Sequence, residues 1–381
     1  MKRATSSAAN GVARGRSALR VASLLLYGLF AVVFIAGYAA RYVHPKYAWF
    51  LQLAGIVLPF SALAVTAATF PIFVKRRKIL WRIQLIVLVL VVIRFPPWTL
   101  YSVSRDPSPN DLRILTYNSP GDATEPGLRV SDAIAALVDE TDPHVVSFQE
   151  AWWRYATGRK VATGRDDVEL LIGNAGFDDA PDSYVDRTYT HQPVLSRIGM
   201  VALNRERFQY SPDALDDLEI VHAEIRWQDR SFTLYNVHLA SYGTQKPWDE
   251  EPSGRLNPRV WVGYLQRYRN AIIRRAWEAE RVREIIDRAD GPLLLTGDFN
   301  ATPHNWSYRR ITAGLRDAMA DAGKGPGFTY HRRRPIARID FIFASPEFEF
   351  TSARTLNGRV SDHLAVTASL RWRDGNIRGS D

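Results

Sequence analysis

Pro292-Leu293-Leu294-Leu295-Thr296-Gly297-Asp298-Phe299-Asn300 is an apolar run that ends in a carboxylate and an amide two positions apart. Residues two apart on an extended chain share a face, so Asp298 and Asn300 reach into one pocket. Asp brings a negative charge or a base, and Asn brings a donor and an acceptor. The same residues also make an ordinary turn at a strand end. Their meaning therefore depends on what the rest of the chain places beside them.

The pattern recurs. The apolar runs predict strands at Leu112–Tyr117, Val145–Phe148, Met200–Leu203, Ile220–Trp227, Phe232–Val237, Leu293–Leu295, Ile339–Phe343 and Ala365–Leu370. Helical spacing predicts Val130–Glu140 and a long helix around Val260–Arg288. Polar residues cluster at the strand ends: Asn118, Gln149-Glu150, Asn236 to His238, Asp298 to Asn300, Asp340, and Ser361-Asp362-His363. Singly, each is explained by a cap or a turn. Together they point to a shared site in one α/β domain with sheets inside and helices outside.

The charge is uneven. The first 100 residues hold 13 of the 49 Lys and Arg and none of the 40 Asp and Glu, so the rest carries 36 basic against 40 acidic side chains, a net charge of −4. The high pI therefore has a source other than nucleic-acid binding. Val21–Ala40, Trp49–Val74 and Ile79–Trp98 are apolar stretches of membrane-spanning length, the third less clean for Arg82 and Gln84. Lys2, Arg3, Arg14, Arg16, Arg20 and the loop Lys75-Arg76-Arg77-Lys78 place the N-terminus in the cytoplasm and everything after the third segment outside it. A cleaved signal peptide ending near Ala36-Gly37-Tyr38-Ala39-Ala40 leads to the same placement. The absence of cysteine excludes disulfide staples, thiolate chemistry and Cys-based zinc sites.

Over about residues 111–371 the chain resembles the endonuclease/exonuclease/phosphatase family, which includes DNase I, abasic-site endonucleases, sphingomyelinases and inositol-polyphosphate 5-phosphatases. The resemblance rests on Thr116-Tyr117-Asn118, Asp142 to Glu150, Asn236-Val237-His238-Leu239, Gly297 to Asn300, Arg338 to Ile342 and Ser361-Asp362-His363, in the family's order. Leu195-Ser196-Arg197 and Phe328-Thr329-Tyr330 are weaker matches. It implies a DNase I-like four-layer α/β sandwich, preceded here by three transmembrane α-helices. The resulting division is a basic cytoplasmic tail (1–20), a three-helix membrane anchor (21–98), a linker (99–110), the catalytic domain (111–373) and a flexible tail (374–381).

The resemblance also implies Mg²⁺ (or Mn²⁺) held chiefly by Glu150, with Asn118 and Asp362 nearby. By the family pattern Asp298 activates the water and Asn300 hydrogen-bonds a phosphate oxygen. His363 contacts the phosphate with Asp340 fixing its ring, and His238 donates to the transition state. After Asn118 the sequence departs from the family with Ser119-Pro120-Gly121-Asp122, where Asp122 is either a solvated turn residue or a metal neighbour. The expected partners are a phosphate-ester substrate and a lipid bilayer through the three helices. The expected function is an extracytoplasmic, metal-dependent phosphoesterase acting on a lipid or small molecule. A membrane-tethered nuclease is the alternative, disfavoured by the acidic domain. A non-catalytic binding protein is the third, opposed by the retained site residues. Between Tyr242 and Arg275, four aromatics and six arginines form either a cationic lip beside the site or an amphipathic helix packed on the sheet.

Overall fold

The computed structural model describes residues 2–67, 78–95, 108–119, 129–151, 153–156, 159–162, 184–185, 192–211, 217–243, 247, 255–331 and 336–373. Asp122, Trp248, most of the expected linker and the expected C-terminal tail lie outside the described residues. The chain divides into two compact units, Met1–Pro97 with His304–Trp306, and Trp98–Pro303 with Ser307–Asp381.

In the first unit the described helices are α1 (Lys2–Ala40), α2 (Pro45–Ala48), α3 (Leu51–Ile56), α4 (Leu58–Ala67) and α5 (Lys78–Arg94). Among the described residues one helical stretch is long and apolar enough to cross a membrane, Val21–Ala40, and it is mostly exposed. The described residues do not support the expectation of three spans. The second stretch breaks into α3 and α4 at Val57 (φ −91°, ψ 5°). Pro59, in the first turn of α4, has no N–H to carry the helix across that break. The remainder, residues 68–77, lies outside the described residues. The described part of the third stretch is a helix of 17 residues (Lys78–Arg94), and residues 96–98 lie outside the described residues. Phe34, Leu58, Ala62, Val65 and Val87 form the unit's apolar cluster. Gln84 is buried but satisfied, donating to Val65 O (2.8 Å) and accepting from Tyr27 Oη (2.7 Å).

Among the described residues the second unit has fourteen strands: β1 (Leu112–Asn118), β2 (Val145–Gln149), β3 (Trp153–Ala156), β4 (Arg159–Ala162), β5 (Tyr184–Val185), β6 (Val194–Ser196), β7 (Met200–Phe208), β8 (Leu218–Trp227), β9 (Arg230–His238), β10 (Leu293–Asp298), β11 (Arg316–Asp317), β12 (Asp340–Ala344), β13 (Phe348–Leu356) and β14 (Ala365–Trp372). They form two six-stranded sheets, β13-β14-β1-β2-β6-β5 and β11-β12-β10-β9-β8-β7, with β3 and β4 as a separate hairpin. Each large sheet has one parallel pair at its centre, β1 with β2 and β9 with β10. The described helices of this unit are α6 (Val130–Thr141), α7 (Pro258–Arg288), α8 (Trp306–Ile311) and α9 (Ala318–Ala322).

The core lies between the sheets. Leu112, Ile114 and Val366 from one sheet cluster with Leu234, Leu294 and Ile342 from the other. The opposite face of β1 and β2 packs Leu115, Val146 and Phe148 against Ile134, Leu137 and Val138 of α6. Behind β10 and β12, Phe299, Phe341, Phe343 and Tyr308 of α8 stack with centroids 5.1 to 5.6 Å apart. Helices thus flank a pair of face-to-face sheets, as the four-layer expectation requires.

Every strand predicted from the sequence is present, with some boundaries displaced. β7 runs five residues past the expected Leu203 because Arg205 and Arg207 both pair with the buried Glu219 on β8, at 3.4 and 2.7 Å. Charged residues on an edge strand mask its alternation. β13 escaped sequence reading because a register shift between Phe350 and Ser352 breaks its period.

Two local features generate predictions. Gly297 has φ +136° and faces Val237 across the parallel β9–β10 pair, where a Cβ would lie 1.9 Å from Val237 O. Gly297→Ala should destabilise the domain by about 3 kcal/mol or more, measured as a lowered denaturation midpoint; an unchanged midpoint contradicts this packing. His144 joins the Asp142-Pro143-His144 stretch to β1, its Nδ1 accepting from Arg113 N at 3.0 Å. Burial, then the positive charge of Arg113, lowers its pKa to about 4, against an opposing pull from Asp142. A neutral folded histidine stabilises above the unfolded pKa, and that contribution is lost as pH falls from about 6.5 towards 4. Relative to His144→Asn, the natural chain should lose about 1–2 kcal/mol across that window, a partly exposed group counting for less than its full shift. Parallel stability curves for the two chains contradict it.

Candidate active site

A gradient of polarity runs along the inner faces of the sheets. On β1 the residues facing between them are Leu112, Ile114, Thr116 and Asn118, and on β9 they are Phe232, Leu234, Asn236 and His238. On β10 they are Leu294, Thr296 and Asp298. Each strand passes from hydrocarbon through a hydroxyl or amide to a charged or amide group. The middle layer is fully buried and joins the sheets: Ser147 Oγ donates to Thr296 Oγ1 (2.7 Å), Gln149 Nε2 to Asn236 Oδ1 (2.7 Å) and Asn236 Nδ2 to Phe148 O (2.9 Å). Buried hydrogen bonds of this kind fix one register between two otherwise slippery apolar faces.

Beyond that layer the polar strand ends converge. Asp298 is 1% exposed. Its Oδ1 accepts from Asn300 N (2.7 Å), and its Oδ2 accepts from Asn118 Nδ2 (2.9 Å) and Asn300 Nδ2 (3.3 Å). Asp340 stands directly opposite on β12. Two buried carboxylates across a strand pair repel, and His363 intervenes. Its Nδ1 lies 2.9 Å from Asp340 Oδ2 and its Nε2 lies 3.9 Å from Asp298 Oδ2. Burial alone would lower the His363 pKa, but Asp340 and Asp298 together raise it to about 10, so the ring is an imidazolium at neutral pH. Burial, then Asp340, raises Asp298 to about 6, with His363 and His238 pulling the other way. His238 Nε2 lies 3.7 Å from both Asp298 Oδ2 and Glu150 Oε1.

Asn118, Glu150, His238, Asp298, Asn300, Asp340 and His363 are thus brought together. Asp362 is half-buried beside His363, and its link to the cluster is its charge. Glu150 and Asn300 both adopt left-handed backbone (φ 55° and 47°), uncommon for residues other than glycine and concentrated at functional sites. Both donor hydrogens of the Asn300 amide are directed inward, to Leu239 O (2.9 Å) and Asp298.

Two groups could hold a cation. Asp298, Asp340 and His363 offer ligand atoms within 4.8 Å of one another, but these atoms already bond or counter each other's charge. Asn118 Oδ1 is different: it is buried and, among the described residues, accepts no hydrogen bond. An unsatisfied buried acceptor costs roughly 1–3 kcal/mol, and an amide oxygen near the Glu150 carboxylate is the donor type that hard divalent cations take. The residues present fit such an ion.

Sequence reading missed several positioning residues. Arg275 on α7 is buried and donates to Ala240 O (2.9 and 2.7 Å), while Glu278 accepts from Ala240 N (2.6 Å). This buried pair clamps the chain two residues beyond His238. On a helix rich in arginine, neither residue stands out. Thr329, in a weaker match, is fully buried and accepts from the N–H groups of Ile339 and Asp340, while its carbonyl accepts from Leu364 N (2.7 Å). It ties the start of β12 to the His363 loop. Of the aromatics between Tyr242 and Arg275, Tyr264 and Tyr268 are buried and Trp261 is exposed.

Comparison with known proteins places the chain in a family. The model of the endonuclease/exonuclease/phosphatase family matches residues 115–363. No curated protein matches the chain. Among solved structures, an endonuclease/exonuclease/phosphatase family protein from Leptotrichia buccalis C-1013-b is similar at 18% identity, covering 68% of this chain and 100% of its own, with a TM-score of 0.49. A mannosyl-6-phosphatase from Bacteroides thetaiotaomicron VPI-5482 is 17% identical over 68% of this chain and 100% of its own (TM-score 0.46). TDP2 of D. rerio, complexed with single strand DNA product, is 15% identical over 68% and 99% (TM-score 0.46). The chain belongs to the endonuclease/exonuclease/phosphatase family, whose members are hydrolases acting on phosphoester bonds.

Proposed function

We propose that this chain is a membrane-anchored, divalent-metal-dependent phosphoesterase that hydrolyses a phosphodiester or phosphomonoester of a lipid or small molecule outside the cytoplasm. The observation that carries this reading is the buried Asp298 carboxylate set between two histidines. A carboxylate raised to about 6 is ionised at neutral pH yet basic enough to take a proton from water. Asn118 and Asn300 hold it in one orientation through its two oxygens. His363, charged and fixed through Nδ1 by Asp340, presents Nε2–H to the phosphoryl oxygens. His238 offers a second donor from the facing side. Asn300 reaches a phosphate oxygen only by turning its amide out of its bonds to Leu239 and Asp298.

Glu150, Asn118 and Asp362 would hold Mg²⁺ or Mn²⁺. When bound, such an ion supplies charge neutralisation at the phosphoryl and leaving oxygens. Support for anchoring comes from Val21–Ala40 preceded by Lys2, Arg3, Arg14, Arg16 and Arg20, an arrangement that favours a cytoplasmic N-terminus and an external catalytic domain.

The test is turnover of bis(p-nitrophenyl) phosphate and p-nitrophenyl phosphate by the whole chain in detergent. Turnover should require Mg²⁺ or Mn²⁺ and stop with chelator. Asp298→Asn and His363→Ala should each lower kcat/KM roughly a thousandfold. Full activity in the folded variants overturns the assignment, and preferential chelator-sensitive cleavage of plasmid DNA moves the reading to a nuclease.

A further inference from the structure

The exposed flank at the start of α7 is not used by the chemistry above. Leu256 is 85% exposed, Trp261 42%, Val262 53% and Leu265 37%. Single exposed apolar residues are ordinary, but these fall within one short stretch. Trp261, Val262 and Leu265 stand at i, i+1 and i+4 of the helix, so they share one flank. Tyr264 and Tyr268 are buried on the other side. The Trp261 ring is held in place by its indole N–H, which donates to Arg255 O at 2.7 Å.

Within this stretch of sequence the charge has one sign. Arg255 to Trp277 contains six arginines and no acidic residue, although the chain beyond residue 100 is net acidic. Two of the six serve the fold: Arg274 pairs with Glu278, and Arg275 clamps Ala240. Arg255, Arg259, Arg267 and Arg269 are exposed, and Arg269 falls between Leu265 and Val262 around the helix. The run is bounded before it by Asp249, Glu250 and Glu251 and after it by Glu278.

We propose that this flank docks on a lipid bilayer carrying anionic headgroups, with Trp261, Val262 and Leu265 entering the headgroup boundary and Arg255, Arg259 and Arg269 set against the phosphates. Amphipathic helices with an apolar face rimmed by arginine bind this surface, and each basic residue adds to the attraction. A second copy of the chain fits less well, because a two-fold contact would face these arginines against themselves. The flank also lies close to the site. Tyr264, one turn along, packs edge-on to Tyr242 (5.9 Å), four residues beyond His238, and Tyr330, a further electrostatic neighbour of Tyr264, sits 5.0 Å from the His363 ring. Docking would turn the mouth of the site towards lipid headgroups.

The absence of native cysteine makes the test clean. The whole chain carrying Val262→Cys is labelled with an environment-sensitive dye and placed in nanodiscs of phosphatidylcholine and phosphatidylglycerol containing acyl-brominated lipid. Gln228→Cys, on the exposed turn at the opposite end of β9, is the control. Quenching at position 262 should exceed that at 228 by about twofold or more. Arg259→Glu with Arg269→Glu should reduce it in these discs but not in phosphatidylcholine alone. Equal quenching at the two positions, or a dye shift that follows protein concentration instead of lipid, overturns the proposal. The readout needs no turnover, so its failure and that of the phosphoesterase reading are separate results.

Discussion

The Asp298 carboxylate sits at the end of an otherwise apolar strand, withdrawn from water, where an ionised oxygen without partners costs several kcal/mol. Its partners come from across the domain: Asn118 from β1, His238 from β9, Asn300 from the turn after β10, and His363 from the loop before β14. Asp340 works in the opposite sense, because β12 places a second buried carboxylate directly across from it. One imidazolium makes that juxtaposition tolerable. The same contacts that stabilise the acid pair therefore also gather a buried carboxylate, an oriented imidazolium and a second imidazole around one small volume.

The scaffold follows from the way the inner faces are graded. Hydrocarbon at one end of the sheets supplies the core, and hydroxyls and amides in the middle lock the sheets in register. Charged groups appear only where the strands end. A carboxylate four residues earlier, in place of Leu294, would be buried in the apolar core between the sheets. Gly297 belongs to the same constraint, since only a residue without a Cβ lets β10 lie against β9 with Asp298 beside His238.

Much of this was legible in the residues. The apolar runs marked the central strands because those strands are buried on both faces, and the polar letters at their ends marked the site. The edges were less legible. β13 hides its period behind a register shift, and β7 hides it behind arginines that serve Glu219. Arg275, Glu278 and Thr329 act through backbone groups far away in sequence, and no spacing rule announces such contacts. Hydropathy read Trp49–Val74 as one span, but it does not register the helix break at Val57. Composition alone could not separate the two sides of α7, where Tyr264 is core and Trp261 is surface.

The central claim is that Asp298 activates water for attack on phosphorus. Turnover of bis(p-nitrophenyl) phosphate in water enriched in heavy oxygen tests it most directly. The account predicts one heavy oxygen in the phosphoryl product and none in the released p-nitrophenol. Heavy oxygen in the phenol would mean cleavage on the carbon side and contradict it.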